Sequence, residues 1–160
     1  MAPDTPYIAV VGPATATGRE QQLARRVGEL LAGHGAVVVC GGTGGVMEAV
    51  CAGARSRDGT TVGLLPGTDR ADANPHLTVA LATGVGELRN GLVVQASDAL
   101  LAVGGSWGTL NEIALAVRRG KPAVVLEGWA VPDAPAEPAL RSAATPEEAV
   151  AAVLDALRRE

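Results

Sequence analysis

Glu112 is the residue whose setting in the sequence most suggests chemistry. It follows Gly104-Gly105-Ser106-Trp107-Gly108-Thr109, a glycine-rich bend. The bend joins an apolar run, Ala99 to Val103, to a segment with Leu110, Ile113, Ala114 and Val117 on one helical stripe. Strand, glycine turn, helix start is how α/β proteins build an anion site. The first-turn N–H groups lack intrahelical acceptors, and the helix dipole favours negative charge beside them. Glycine lets the backbone come close to a ligand. Ser106 and Thr109 add hydroxyls, each able to donate to a phosphate oxygen or to cap the helix. Spacing alone leaves two readings of Glu112. One is a capping-box carboxylate paired with Thr109 or Ser106. The other is a base or electrostatic stabiliser at an N-glycosidic bond.

A second bend, Gly41-Gly42-Thr43-Gly44-Gly45, precedes a helix-forming segment, Val46 to Ala54. No Lys-Ser/Thr pair follows the glycines, so it is not a Walker loop. The strand before it is the second, and no suitable acidic residue follows the next strand, so it is not the dinucleotide fingerprint. A backbone phosphate cradle and a tight turn both remain, and the excess of glycine favours the cradle. Met47 suits packing and stands where a ligand could touch it; Glu48 suits a solvated face equally with a ligand contact. Arg89 has apolar neighbours, Leu88 and Leu92, which is unlike a solvated face. Its guanidinium can bridge a phosphate or carboxylate bidentately, and Asn90 beside it can hold a ligand hydroxyl. Asp69, Arg70 and Asp72 form a polar loop read as solvated. His34 and His76 have no metal-type partners, and no metal site is expected.

The elements that must position these residues alternate. Strands are expected at Tyr7–Val11, Ala36–Val39, Thr60–Leu65, Leu77–Ala82, Ala99–Val103 and Lys121–Leu126. Helices are expected from about Arg19 to His34-Gly35, over Val46–Ala54, over Gly86–Ser97 and from Thr109 on. A last helix is striped by Val150, Val153, Leu154 and Leu157 behind a capping box, Thr145-Pro146-Glu147-Glu148. The segment Gly128–Ala139, with Pro132, Pro135 and Pro138, is a loop. This alternation specifies an α/β protein, a doubly wound, mainly parallel sheet between two helical layers. Such sheets bind ligands at the carboxyl ends of their strands.

The bulk numbers agree. The chain has 160 residues, 48% apolar, with no Phe, one Tyr and two Trp. One domain spanning 1–160 with a core of Val, Leu, Ile and Ala follows. The net charge of −4 and the absence of a basic block argue against nucleic acid as partner. Cys40 and Cys51 are expected as small buried thiols rather than a disulfide scaffold. No run spans a bilayer and no signal peptide is seen, so a cytoplasmic protein is expected, with no membrane partner.

Four motifs in order then resemble one family. They are Gly41-Gly42-Thr43-Gly44-Gly45-Val46-Met47, Val62-Gly63-Leu64-Leu65-Pro66, Arg89, and Gly105-Ser106-Trp107-Gly108-Thr109-Leu110-Asn111-Glu112. They look like the "lonely guy" (LOG) family of cytokinin-activating phosphoribohydrolases, often mislabelled lysine decarboxylases. The family signature, Pro-Gly-Gly-x-Gly-Thr-x-x-Glu, falls on Gly104 to Glu112. Its arginine falls on Arg89. The resemblance implies a Rossmann-like fold, a homodimer or higher homo-oligomer, and hydrolysis of a nucleoside 5′-monophosphate with Arg89 and Glu112 catalytic. No cofactor is required. The implied ligand contacts are Gly41 to Gly45, Met47, Asn90 and Gly105 to Thr109. Gly104 replaces the signature proline and Ser106 its second glycine. These departures resemble a neighbouring branch that includes the molybdenum cofactor carrier proteins, which bind a pterin phosphate without known catalysis. A non-catalytic molybdenum cofactor carrier and a nucleotide-sensing module are therefore the alternatives.

Overall fold

The structure is a computed structural model that describes residues 4–159. Its centre is one seven-stranded sheet: β1 (Tyr7–Val11), β2 (Val37–Cys40), β3 (Thr61–Leu65), β4 (Val79–Ala82), β5 (Ala99–Val103), β6 (Ala123–Leu126) and β7 (Leu140–Ala143). The order is β4-β3-β2-β1-β5-β6-β7, and every pairing is parallel. The expected doubly wound sheet is therefore present and is parallel throughout. Among the described residues four α-helices connect strands, α1 (Gly18–Gly33), α2 (Val46–Arg55), α3 (Arg89–Gln95) and α4 (Trp107–Arg118), and a fifth, α5 (Pro146–Leu157), follows β7.

Alternating residues of the central strands feed two cores. Ile8, Val10, Val38 and Leu101 pack against α1, α2 and α5. Ala9, Val11, Val39, Leu100 and Ala102 pack against Val93 and Val94 of α3 and Ile113 and Ala116 of α4. The result is three layers, with the apolar runs of the central strands buried on both faces as a parallel sheet requires. Helices α1 and α2 approach closely through glycine. A Cβ at Gly53 would overlap the carbonyl of Arg25, and one at Gly28 would overlap that of Val50. Cys40 and Cys51 are both free and buried, as expected, with their sulfurs 3.6 Å apart.

Chain ends of the helices follow local chemistry. Thr17 and Glu20 form a reciprocal capping box at α1, satisfying two of the orphan donors. At the other end of α1, Gly35 and Ala36 donate to Ala32 and Leu31, a Schellman closure with Gly35 at φ +73°. The capping box expected at α5 is only half formed. Thr145 Oγ1 accepts from the Glu148 amide, but the Glu148 carboxylate takes the Ala144 amide instead of that of Thr145. The long helix expected over Gly86–Ser97 is a 3₁₀ turn, Gly86–Leu88, followed by the seven-residue α3. Lys121 Nζ closes α3 by donating to the carbonyls of Val94, Gln95 and Ser97. β7 is the one strand outside the sequence expectation; its residues are mostly exposed, and it forms by adding to the open edge of β6.

Candidate functional site

From β1 the chain winds outward through β2, β3 and β4. It then returns to the other side of β1 as β5. The reversal leaves a crevice above the carboxyl end of β1, the place where such sheets bind ligands. A cavity of about 270 Å³ lies there. Val10, Val11 and Gly12 form its floor, and the bends after β2 and β5 reach it from either side. Gly12 permits the convergence, because a Cβ there would overlap the carbonyl of Val103 and the side chain of Val46.

Eight of the residues singled out in the sequence line this cavity: Gly41, Met47, Arg89, Asn90, Ser106, Gly108, Thr109 and Glu112. The bend after β5 supplies the start of α4. Ser106 is its N-cap, with its Oγ accepting from the Thr109 amide at 3.1 Å and lying 2.9 Å from Thr109 Oγ1. Ser106, not Glu112, therefore does the capping. Among the described residues nothing accepts from the amides of Trp107 and Gly108. These are the free first-turn donors an anion would use. Gly104 has φ +72°, which proline, fixed near −65°, cannot adopt. The departure from the signature at this position is thus a difference in backbone path as well as in side chain.

The bend after β2 is arranged differently. Gly41 lines the cavity, but Gly42, Thr43, Gly44 and Gly45 do not. The Gly42 amide points to Cys40 Sγ, and its carbonyl accepts from the Asn74 amide. Asn74 Nδ2 donates to the Thr43 carbonyl. Gly45, at φ +64°, lies against the carbonyls of Pro13 and Ala14, and the Val46 amide donates to Pro13. Much of this glycine-rich turn thus serves close packing against the loop after β1. Gly105 also stays outside the cavity lining and carries Trp129 against its backbone. Trp107 stands exposed at the start of α4. Glu48 and His76 line a separate groove between α1 and α2, and the Asp69–Asp72 turn lies outside the cavity.

Arg89 and Glu112 face the cavity from α3 and α4, on the same side of the sheet. Arg89 is half-buried. Its Nη1 donates to the Gly41 carbonyl and, at 3.0 Å, to that of Leu64. Its Nε is buried without a partner. The guanidinium thereby ties together the carboxyl ends of β2 and β3, and burial lowers its pKa from the usual value. Glu112 is half-buried, and desolvation raises its pKa to about 7, with the positive charge of Arg89 opposing the rise. A carboxyl that changes protonation near neutrality, beside a fixed cation, is the arrangement found where proton transfer or charge stabilisation is needed.

The sequence reading missed two neighbours. Glu87, exposed in the 3₁₀ turn before α3, adds a second carboxylate to the lining. Trp129, after β6, packs edge-on to Trp107. Position after a strand end was the available signal for Trp129, but the distance in sequence from residue 107 concealed the contact. Among the described residues no group of three or more His, Cys, Asp or Glu gathers to hold a metal, and no helix is long and apolar enough to cross a membrane.

Comparison with known proteins agrees with the resemblance read from the glycine bends. The sequence profile of the SLOG cluster4 family matches residues 5–154. An uncharacterized protein of Archaeoglobus fulgidus is 42% identical over 136 residues, covering 81% of this chain and 89% of its own. Among solved structures, the molybdenum cofactor binding protein of Rippkaea orientalis superposes with a TM-score of 0.88 at 30% identity, covering 98% of this chain and 99% of that one. The Moco carrier protein of Chlamydomonas reinhardtii does so with 0.86 at 33% identity, covering 98% and 99%. DNA processing protein A of Helicobacter pylori, at 21% identity and TM-score 0.70 over 96% of this chain and 82% of its own, shares the fold alone.

Proposed function

The chain belongs to the SLOG cluster4 family, and on that footing we propose that it binds a phosphorylated, nucleotide-like small molecule in the cavity above β1 and hydrolyses the N-glycosidic bond of a nucleoside 5′-monophosphate. The observation that carries the reaction is Glu112, held in the cavity beside Arg89 with a pKa of about 7. The phosphoryl group is received by the free amides at the start of α4 and the hydroxyls of Ser106 and Thr109. Gly41, Met47 and Asn90 complete the enclosure; Gly42 to Gly45 support it from behind.

As the C1′–N bond loosens, the sugar gains positive charge. Ionised Glu112 stabilises that charge and orients a water toward C1′. The water oxygen bonds to C1′ and keeps one proton as the new hydroxyl, the bonding pair leaves with the base nitrogen, and the second water proton, taken up by the Glu112 carboxylate, passes to the base. The products are a free base and ribose 5-phosphate. Arg89 holds the ends of β2 and β3 and keeps a positive charge near the reacting sugar. No metal or redox cofactor enters this scheme. Turnover rises with pH through about 7 as Glu112 ionises.

A second reading is favoured by one observation, the full-length likeness to molybdenum cofactor carriers at about a third identity. There the same anion site holds a pterin phosphate as cargo, and no catalytic carboxylate is needed. One experiment separates the two. Nucleoside 5′-monophosphates are incubated with the protein and release of free base is followed by chromatography. The hydrolase reading expects turnover that Glu112→Gln abolishes while phosphate binding persists. Equal activity in that variant removes Glu112 from the mechanism. Pterin fluorescence that copurifies with the protein, without turnover, selects the carrier.

The same proposal includes a homodimer in the cytoplasm. Leu88 is 79% exposed, and Leu92, Val79 and Leu81 are exposed with it. Val79 and Leu81 pair in register with Val62 and Leu64, which pack in the core on the α3 side, so β4 turns them toward the side of the sheet that carries α3 and the 3₁₀ turn before it. A second copy of the chain covers that apolar face. The two unbridged thiols suit a reducing compartment.

A further inference from the structure

Both tryptophans of this chain lie at the surface, while its core contains no Phe and is aliphatic. A soluble protein so poor in aromatic residues gains most by burying them. Here Trp107 is 78% exposed and Trp129 is 45% exposed. They are packed on each other, ring centroids 5.0 Å apart and planes at 82°. This edge-to-face contact holds the Trp107 indole in one orientation. The backbone is shaped around the pair. A Cβ at Gly105 would overlap the Trp129 ring, so only glycine lets Trp129 stand against the bend after β5. A Cβ at Gly128 would collide with the Val125 side chain and come within 2.9 Å of the Gly104 carbonyl, which fixes the segment carrying Trp129 to the same bend.

The pair stands beside the cavity: Trp129 lines the neighbouring cleft with Leu110 and Ile113, and Trp107 is joined to the cavity lining through its own backbone. Trp107 is the first residue of α4, and its sequence neighbours Ser106 and Gly108 both line the cavity. The cavity volume, about 270 Å³, falls below the roughly 300–1,000 Å³ of pockets that enclose whole organic ligands. The cavity has room for a phosphoryl group and a sugar, and a ring attached to that sugar would extend past it, one edge of which is the α4 start. We propose that Trp107, steadied by Trp129, is the stacking platform for the heteroaromatic ring of the phosphorylated ligand. This rests on the phosphoryl-ligand reading above and adds the part of the ligand which that reading leaves unheld. A π-face accepts a purine or a pterin alike, so the platform selects for a flat ring and discriminates weakly among rings.

The test uses the full chain carrying Glu112→Gln, so that the ligand is not consumed. Ribose 5-phosphate and adenosine 5′-monophosphate are titrated separately, with calorimetry for affinity and intrinsic tryptophan fluorescence as the local readout. Adenosine 5′-monophosphate is expected to bind about tenfold more tightly than ribose 5-phosphate and alone to quench the fluorescence. Adding Trp107→Ala brings it down to the affinity of ribose 5-phosphate, whose own binding is unchanged. Trp107→Phe restores most of the difference, and Trp129→Ala loses part of it. Equal affinity of the two ligands overturns the platform and leaves the phosphoryl site standing. A Trp107→Ala loss shared equally by both ligands also overturns it, since residue 107 then acts through the helix start. Failure of both ligands to bind overturns the phosphoryl-ligand reading and the platform together.

Discussion

Replacing Glu112 with Gln should stabilise this protein, and by an amount that grows with pH. Burial lifts the folded-state pKa of Glu112 from its ordinary 4.5 to about 7. Below the lower value the carboxyl is protonated in folded and unfolded chains alike, and the group contributes no difference. Between the two values the unfolded chain releases the proton while the folded chain keeps it. The folded state binds more protons there, so stability falls as pH rises. Above about 7 the full difference is lost. At about 1.4 kcal/mol per pH unit, the displacement is worth roughly 3 kcal/mol. Glutamine keeps the shape and hydrogen-bonding capacity of the protonated acid but cannot ionise. Wild type and Glu112→Gln should therefore melt together at about pH 4 and below. By about pH 8 the variant should lead by roughly 3 kcal/mol, or about 6–12 °C for a chain of this size. Thermal melts or urea titrations of both proteins across this range measure the gap. Parallel stability curves, or a variant less stable at pH 8, would refute the claim that the cavity desolvates Glu112.

Three further outcomes follow from the packing. Gly53→Ala places a methyl group into the Arg25 carbonyl where α1 and α2 touch; urea titration should show a loss of about 2–3 kcal/mol, and an unchanged midpoint would mean the helices have room between them. Lys121→Met removes the ammonium that the carbonyls of Val94, Gln95 and Ser97 share at the end of α3; a loss of about 2 kcal/mol is expected, and hydrogen exchange should accelerate first in α3. Gly104→Pro, which restores the family signature in sequence, demands an impossible φ and removes the amide that donates to Leu126 at 3.0 Å. It should cost about 3 kcal/mol or more, and a circular-dichroism melt matching wild type would show that the bend can take the proline path.

The sequence by itself determined the elements and their kind. Apolar runs such as Ala99–Val103 are buried on both faces. The stripes on α1 and α5, and the Gly35 closure, are local signals that act within a few residues of chain. Motif order carried the family, and the placement of two glycine bends after strands carried the edge at which to look. Tertiary structure decided which donors face the cavity. The two bends read almost alike, yet the amide of Gly42 is engaged by Cys40 at the end of β2 and that of Val46 by Pro13, from the loop after β1, while those of Trp107 and Gly108 stay open. It also decided that Glu112 is desolvated opposite Arg89, and that Leu140–Ala143, with no apolar pattern of its own, becomes a strand against β6. Periodicity and turn chemistry are written in neighbouring residues. Burial, charge environment and unpaired amides depend on segments distant in sequence, and take their values only when the sheet brings those segments together.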